Sequence, residues 1–278
     1  MSQAGAESPH LDRREREQAA GRAPLGPLVI HEIVREQGLA ELHRDAWGLA
    51  WSGLAAGLSI GFSVVTEAHL RAGLPDAASR HTLESFGYTI GFLIVILGRQ
   101  ELFTETTLTA LIPTLTRPSL GTVRAMLRVW AIVLAANILG TFAFGAISAQ
   151  PGVFAPEARQ AMLELGKEMM AHPAWQTAVR AGSAGWLMGL MVWLLPSAGA
   201  AQPFIIVLVT WVIALCGFPH IVAGSTEASL AVVAGEAGAG DYVWRFFLPT
   251  LAGNIFGGCA LAALLNHAPV ITDLQRGR

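Results

Sequence analysis

Apolar residues run through this chain in six long blocks, at about 46–70, 83–116, 122–149, 174–196, 202–235 and 243–267. A helix needs about 20 predominantly apolar residues to cross the hydrocarbon core of a bilayer, and each block is long enough. Proline and glycine punctuate the joins, as at Leu74-Pro75, Arg117-Pro118, Pro151-Gly152, Pro173 and Pro196. The stretch 151–173 carries Glu157, Arg159, Glu164, Lys167 and Glu168 and predicts a short external helix. Ahead of the first block, Ile30, Ile33, Val34, Leu39 and Leu42 recur near helical spacing beside Arg35, Glu36 and Arg44. That pattern predicts an amphipathic helix over 28–45 on the cytoplasmic membrane surface. Residues 1–27 have the composition of a disordered arm, 46–267 form the membrane domain, and 268–278 are expected as a cytoplasmic tail.

Two blocks are interrupted by polar residues. The second holds Gly98-Arg99-Gln100-Glu101-Leu102-Phe103-Thr104-Glu105, and the fifth holds Gly217-Phe218-Pro219-His220-Ile221. Broken helix at membrane depth is tolerated only inside protein or beside a cavity, and paired broken helices in two halves point to a transport site. Each half-helix after a break turns its N-terminal N–H groups and positive dipole end toward that cavity, an arrangement that attracts a small anion. Thr104 is a natural N-cap for the second half of span two. Asn137-Ile138-Leu139-Gly140 in block three matches Asn254-Ile255-Phe256-Gly257 in block six, and Thr104 and His220 are separated by nearly the same interval. Three spans per half would make the two copies inverted in the membrane. The expected fold is therefore an all-α polytopic membrane protein with six transmembrane helices, an inverted 3+3 repeat and breaks in helices two and five.

Composition agrees. The 278 residues are 53% hydrophobic and 14% charged, with a mean hydropathy of +0.50, too apolar for an ordinary soluble domain. A net charge of -2 gives no reason to expect nucleic acid. Cys216 and Cys259 both lie in apolar runs and indicate no disulfide framework. No apolar segment adjoins the charged N-terminus, so no cleavable signal peptide is expected. Lys and Arg favour one side: with both termini in the cytoplasm, that side holds Arg13, Arg14, Arg16, Arg22, Arg35, Arg44, Arg117, Arg124, Arg128, Arg276 and Arg278. The other side holds only Arg71, Arg80, Arg159, Lys167, Arg180 and Arg245. This asymmetry sets the expected orientation. Gly57-Leu58-Ser59-Ile60-Gly61 spells a hydrolase nucleophile pattern, but it lies within an apolar helix rather than a strand–turn–helix setting. No metal cluster or nucleophile–base pair is apparent, and neither an enzyme nor a cofactor or metal is expected.

The candidate chemistry lies at the breaks. His220 is the side chain there with an ordinary pKa near neutrality, able to donate a hydrogen bond to an anion or to relay a proton. Arg99 near the bilayer centre calls for a partner, and Glu101 and Glu105 are the candidates. Glu67 in span one and Glu227 after the second break are intramembrane carboxylates, functional candidates by default and often proton carriers.

Taken together, these residues resemble the formate/nitrite transporters. The resemblance rests on the Glu101-Leu102-Phe103-Thr104 run, the Gly217-Phe218-x-His220 run, the Asn137 and Asn254 motifs and the two broken spans, over about residues 28–267. It implies an aquaporin-like inverted-repeat fold and a homopentamer with one pore per protomer. It also implies passage of small monovalent anions such as formate, nitrite or hydrosulfide across a bacterial-type inner membrane. By the same resemblance Thr104 and His220 are the central pore residues, and Leu102, Phe103 and Phe218 are candidates for the apolar lining. Glu105, Arg99 and Gly224 depart from the usual pattern, and the chain resembles a divergent, YfdC-like branch. Two other readings are open: a pore for a neutral or cationic solute, and a non-conducting interaction or sensory protein locked by an Arg–Glu clamp.

Overall fold

The computed structural model describes residues 12–14 and 25–263. Most of the expected arm, the last residues of the sixth block and the tail at 268–278 lie outside the described residues. Every regular element among the described residues is helical. Helix α1 (Pro27–His43) opens on a proline, which suits a first helical turn because the missing N–H would be unpaired there anyway. Asp45 caps α2 (Ala46–Ser59) by accepting from the Gly48 N–H at 2.8 Å. Then follow α3 (Gly61–Gly73), the short α4 (Arg80–Glu84), α5 (Thr89–Leu97), α6 (Phe103–Thr109) and α7 (Leu111–Thr116). A reciprocal capping box between Ser119 and Thr122 starts α8 (Leu120–Ser148). The chain continues through α9 (Pro156–Met169), α10 (Ala174–Ala198), α11 (Gln202–Leu215), α12 (Ile221–Val233) and α13 (Leu248–Ile255), the last flanked by wide π turns.

Three helical runs among the described residues are long and apolar enough to cross a membrane: Ala46–Gly73, Leu120–Ser148 and Ala174–Leu215. The last joins α10 to α11 through Gly199, whose φ is +50°. The second and fifth apolar blocks are cut into shorter pieces, since α5 stops at Leu97 and α11 at Leu215, where the breaks begin.

Helix α2 lies against α8, and α10 against α13. At both crossings a glycine lets backbones touch. A Cβ on Gly57 would collide with the Asn137 carbonyl, and one on Gly185 with the Asn254 carbonyl, the close approach that small residues permit between membrane helices. Large apolar side chains face outward, among them Trp47, Trp51, Phe204 and Trp244, as they do on a lipid-facing surface. Phe92, Phe103, Leu49 and Ile60 fill the interior. The helix expected in the 151–173 insert is α9, and one of its faces is buried. Ala161, Met162 and Leu165 pack on Val64 and Ala68 of α3 and Leu230 of α12.

Candidate functional site

The two breaks are built alike. In the first, Arg99 adopts a left-handed conformation with φ +54°, the chain extends at Leu102, and α6 begins at Phe103. In the second, Gly217 takes φ +58°, the chain extends at His220, and α12 begins at Ile221. One asparagine serves each break. Asn137 Oδ1 accepts the Phe103 N–H at 2.9 Å, while its Nδ2 donates to the Glu101 carbonyl at 2.9 Å and the Gly53 carbonyl at 2.7 Å. Asn254 Oδ1 accepts the Ile221 N–H at 2.8 Å, and its Nδ2 donates to Pro219 at 3.0 Å and Ala181 at 2.8 Å. Both side chains are fully buried. Interrupting a helix orphans backbone groups that lipid cannot satisfy, and each asparagine supplies the missing partners while tying its loop to a neighbouring helix.

The breaks meet at Thr104 and His220, whose Oγ1 and Nε2 lie 2.7 Å apart, both atoms buried. His220 is the N-cap of α12: its Nδ1 accepts from the N–H groups of Val222 and Ala223 at 3.3 and 3.2 Å. An imidazole that accepts at Nδ1 carries its proton on Nε2, so Nε2–H donates to the Thr104 hydroxyl oxygen. The Thr104 hydroxyl then keeps its own proton to donate. A second proton on His220 would have to displace both cap bonds.

One polar cavity opens beside each break, and neither is lined by Thr104 or His220 themselves. The first, about 440 Å³, is lined by Glu41 and Arg44 from the end of α1 and its following turn, by Arg99, Glu101 and Leu102 from the first break, and by Glu105. The second, about 360 Å³, is lined by His81, Glu168, His172, Arg180, Cys216, Gly217 and Pro219. Here Arg180 donates to the Cys216 carbonyl at 3.3 Å and to His172, and His81 Nε2 lies 3.0 Å from the Leu215 carbonyl.

Residues 28–268 match the family model described as formate/nitrite transporter. The chain belongs to the formate/nitrite transporter family. It is 42% identical over 258 residues to the inner membrane protein YfdC of Escherichia coli, a match covering 92% of this chain and 83% of that one. Formate-nitrite transporter 3 of Toxoplasma gondii is 28% identical over 202 residues, 69% of this chain and 39% of that protein. Two solved structures share the fold at 18% identity. A pentameric formate channel with formate bound has a TM-score of 0.70, covering 81% of this chain and 98% of its own. An FNT family ion channel has a TM-score of 0.76, covering 86% and 98%.

Within this formate/nitrite transporter fold, several sequence expectations need correction. The N-cap of α6 is Leu102, and Thr104 is the second residue of the helix. Its hydroxyl bonds across to His220 instead, because the extended backbone that a cap requires falls two residues earlier. Arg99 makes no ion pair with Glu101 or Glu105 among the described residues. Glu101 is paired with Arg44 at 2.6 Å, and Arg99 is exposed in the first cavity, where hydration replaces the partner that a lipid-embedded guanidinium would need. The locked Arg–Glu clamp built on Arg99 is therefore not formed. Phe103 sets its ring edge-on to Trp130 at 6.2 Å and, like Thr104 and His220, lines neither cavity, and Phe218 packs against the main apolar core. Leu102 lines the first cavity.

Phe92 escaped the sequence reading. Its ring meets that of His220 edge-on at 5.0 Å and it is fully buried. In sequence it is one apolar residue among many in Thr89–Leu97, and nothing in the spacing separates it from its neighbours. Arg44 and Glu41 were hidden in the amphipathic pattern of the preceding helix. Glu67 and Glu227 are buried away from both cavities' linings.

Proposed function

We propose that this chain conducts or carries a small monovalent weak-acid anion, of which formate and nitrite are the type, through a path crossing the Thr104–His220 contact. The observation that carries the reading is that contact itself: two half-helix N-termini converge on a hydroxyl and an imidazole N–H, with one polar cavity beside each break. Positive helix ends and neutral donors can hold an anion without a fixed cation. His220 acts as hydrogen-bond donor to Thr104, Thr104 offers its proton to the solute, and Leu102 and Phe92 supply the apolar collar. The matched breaks and asparagines support an inverted 3+3 repeat of six spans. The likeness to a pentameric formate channel supports five copies, one pore in each. The arginine asymmetry supports termini in the cytoplasm of a bacterial-type inner membrane, so the first cavity is the cytoplasmic vestibule and the second the outer one.

The test is uptake of labelled formate into proteoliposomes at about pH 5.5 and about pH 7.5, spanning the range where histidine ordinarily titrates. Wild type is compared with Thr104→Val and His220→Asn. Saturable uptake reduced by both substitutions supports the reading. No uptake at either pH by correctly assembled protein sinks it.

A second reading has its own observation. The first vestibule sets the carboxyl groups of Glu41, Glu101 and Glu105 against Arg44 and Arg99, which leaves no net positive charge to favour an anion over a neutral or cationic solute. Reversal potentials under a salt gradient separate the two by their sign.

A further inference from the structure

We propose that Glu67 and Glu227 share one bound proton, taken up from the second vestibule and held outside the solute path. Glu67 projects from α3 and Glu227 from α12, and they are only 6% and 2% exposed. Neither makes a hydrogen bond or ion pair among the described residues, and Glu227 Oε2 is shielded from solvent with no partner. The surroundings are closely packed, since backbone presses on both residues: Gly87 sits against the Glu67 backbone and Gly166 against that of Glu227. Val64 and Ala68, which flank Glu67, share one packed cluster with Leu230, three residues after Glu227, so the two carboxylates sit in the same seam between α3 and α12, near Arg71 and Glu168.

The local charges do not balance. Arg71 is engaged elsewhere, by Glu84 at 2.9 Å and Glu168 at 2.8 Å. Glu84 has further contacts at 3.5 Å with Arg80 and His81. The groups facing the pair are thus Arg71 from its own helix, Glu84 from α4, Tyr88 ahead of α5 and Glu168 from α9. Tyr242 reaches α12 through Ser225 at 3.0 Å, and the face of α8 that meets α12, at Thr141 and Gly145, is uncharged. A lone ionised carboxylate in such a site is far costlier than a neutral acid, and two carboxylates sharing a site resist ionising together. A proton relieves both terms.

The site also has a route and a lever. Glu168 and His81 line the second vestibule and touch Arg71 and Glu84, respectively. Glu227 lies on the helix that His220 caps, seven residues on, about two turns along the same face. Charging Glu227 therefore acts on the element that positions the pore histidine. This deepens the transport reading by adding a proton site to it, but the site can be tested without flux.

The experiment is infrared spectroscopy of the full chain in liposomes across pH, in H₂O and D₂O, for wild type, Glu67→Gln, Glu227→Gln and the double variant. The expected result is a protonated-carboxyl component near neutral pH, resolved from that of Glu41 by making every measurement in a Glu41→Gln background, that each single substitution shifts or removes and the double variant lacks. Glutamine mimics the protonated acid, so the variants should melt no lower than wild type, and where uptake is present the acid-to-neutral uptake ratio should fall toward one. A band unchanged in the double variant, or absent from wild type, overturns the proposal. Loss of the band when sodium chloride replaces choline chloride overturns it in favour of a metal cation. A normal band in a protein with no uptake would defeat the transport reading and leave the proton site standing.

Discussion

Arg99 and Gly217 occupy the same place in the two breaks: each has φ near +55°, at +54° and +58°, three residues ahead of the residue that precedes its half-helix. Glycine takes this conformation without penalty, whereas a side chain costs roughly 1–2 kcal/mol there. A Cβ at 217 would also stand 2.7 Å from an Arg180 nitrogen. Arg99→Gly should therefore hold or raise stability, and Gly217→Ala should lower it by about 1–2 kcal/mol. Thermal unfolding of both variants in detergent checks the contrast; equal losses would refute it.

Asn137 and Asn254 each hold a severed backbone in place from a fully buried position. Replacing either by alanine strands a backbone N–H and the loop carbonyl of Glu101 or Pro219, while the helical carbonyls of Gly53 and Ala181 keep their in-helix partners, at about 1–3 kcal/mol for each group left unsatisfied. Both substitutions should destabilise by about 3 kcal/mol or more, among the largest effects of any polar substitution here. Urea or thermal unfolding measures it, and a loss under about 1 kcal/mol would mean that water takes over the asparagine's bonds.

The Thr104–His220 bond predicts different outcomes for two conservative changes. Thr104→Ser keeps the hydroxyl and should retain most uptake, whereas Thr104→Val removes it, leaves Nε2–H without an acceptor and should cut uptake at least about tenfold, the rate equivalent of about 1.4 kcal/mol. Equal activity of the serine and valine variants would show that the hydroxyl does not meet the solute.

Arg44 reaches Glu101 at 2.6 Å, but its side chain is 41% exposed. A pair so accessible to water contributes about 1 kcal/mol or less. A double-mutant cycle with Arg44→Ala and Glu101→Gln should return a coupling of that size, shrinking as salt is added. A coupling several times larger and insensitive to salt would mean a dry, rigid clamp.

Glu41 gives a pH prediction. Burial pushes its carboxyl up to about 8, reinforced by the Glu101 charge, against the Thr109 hydroxyl that donates to it at 2.5 Å. A folded-state pKa raised above the ordinary value means stability present in full below about pH 4.5 and lost as pH rises through about 8. Glu41→Gln, which keeps an acceptor for Thr109, should match wild type near the acid end and melt higher at the alkaline end. Parallel melting curves from acid to alkaline pH would contradict this.

Much of the site was legible from residue order. The breaks announce themselves as polar interruptions in apolar blocks, and Thr104, His220, Asn137 and Asn254 stand out because intramembrane polar residues are costly and must have partners. The roles within the breaks were less legible. Thr104 has a good capping residue's chemistry, yet Leu102 holds the cap position, because the two asparagines decide where each new helix begins. Arg99 would need a carboxylate only in lipid, and residue order alone does not reveal that it opens into a cavity.

Hydrophobic blocks of membrane length, their two interruptions and the paired asparagine motifs determine by themselves that this is a helical membrane protein with two interrupted helices, each served by a buried asparagine. They do so because the bilayer permits few structures and penalises every unpaired polar group. Which polar group meets which was decided only in three dimensions. Thr104 and His220 are 116 positions apart, Arg44 and Glu101 are 57 apart, and Glu67 and Glu227 lie on helices that no local pattern pairs. Such meetings depend on where close-packed glycines let the helices cross, which spacing along the chain does not encode.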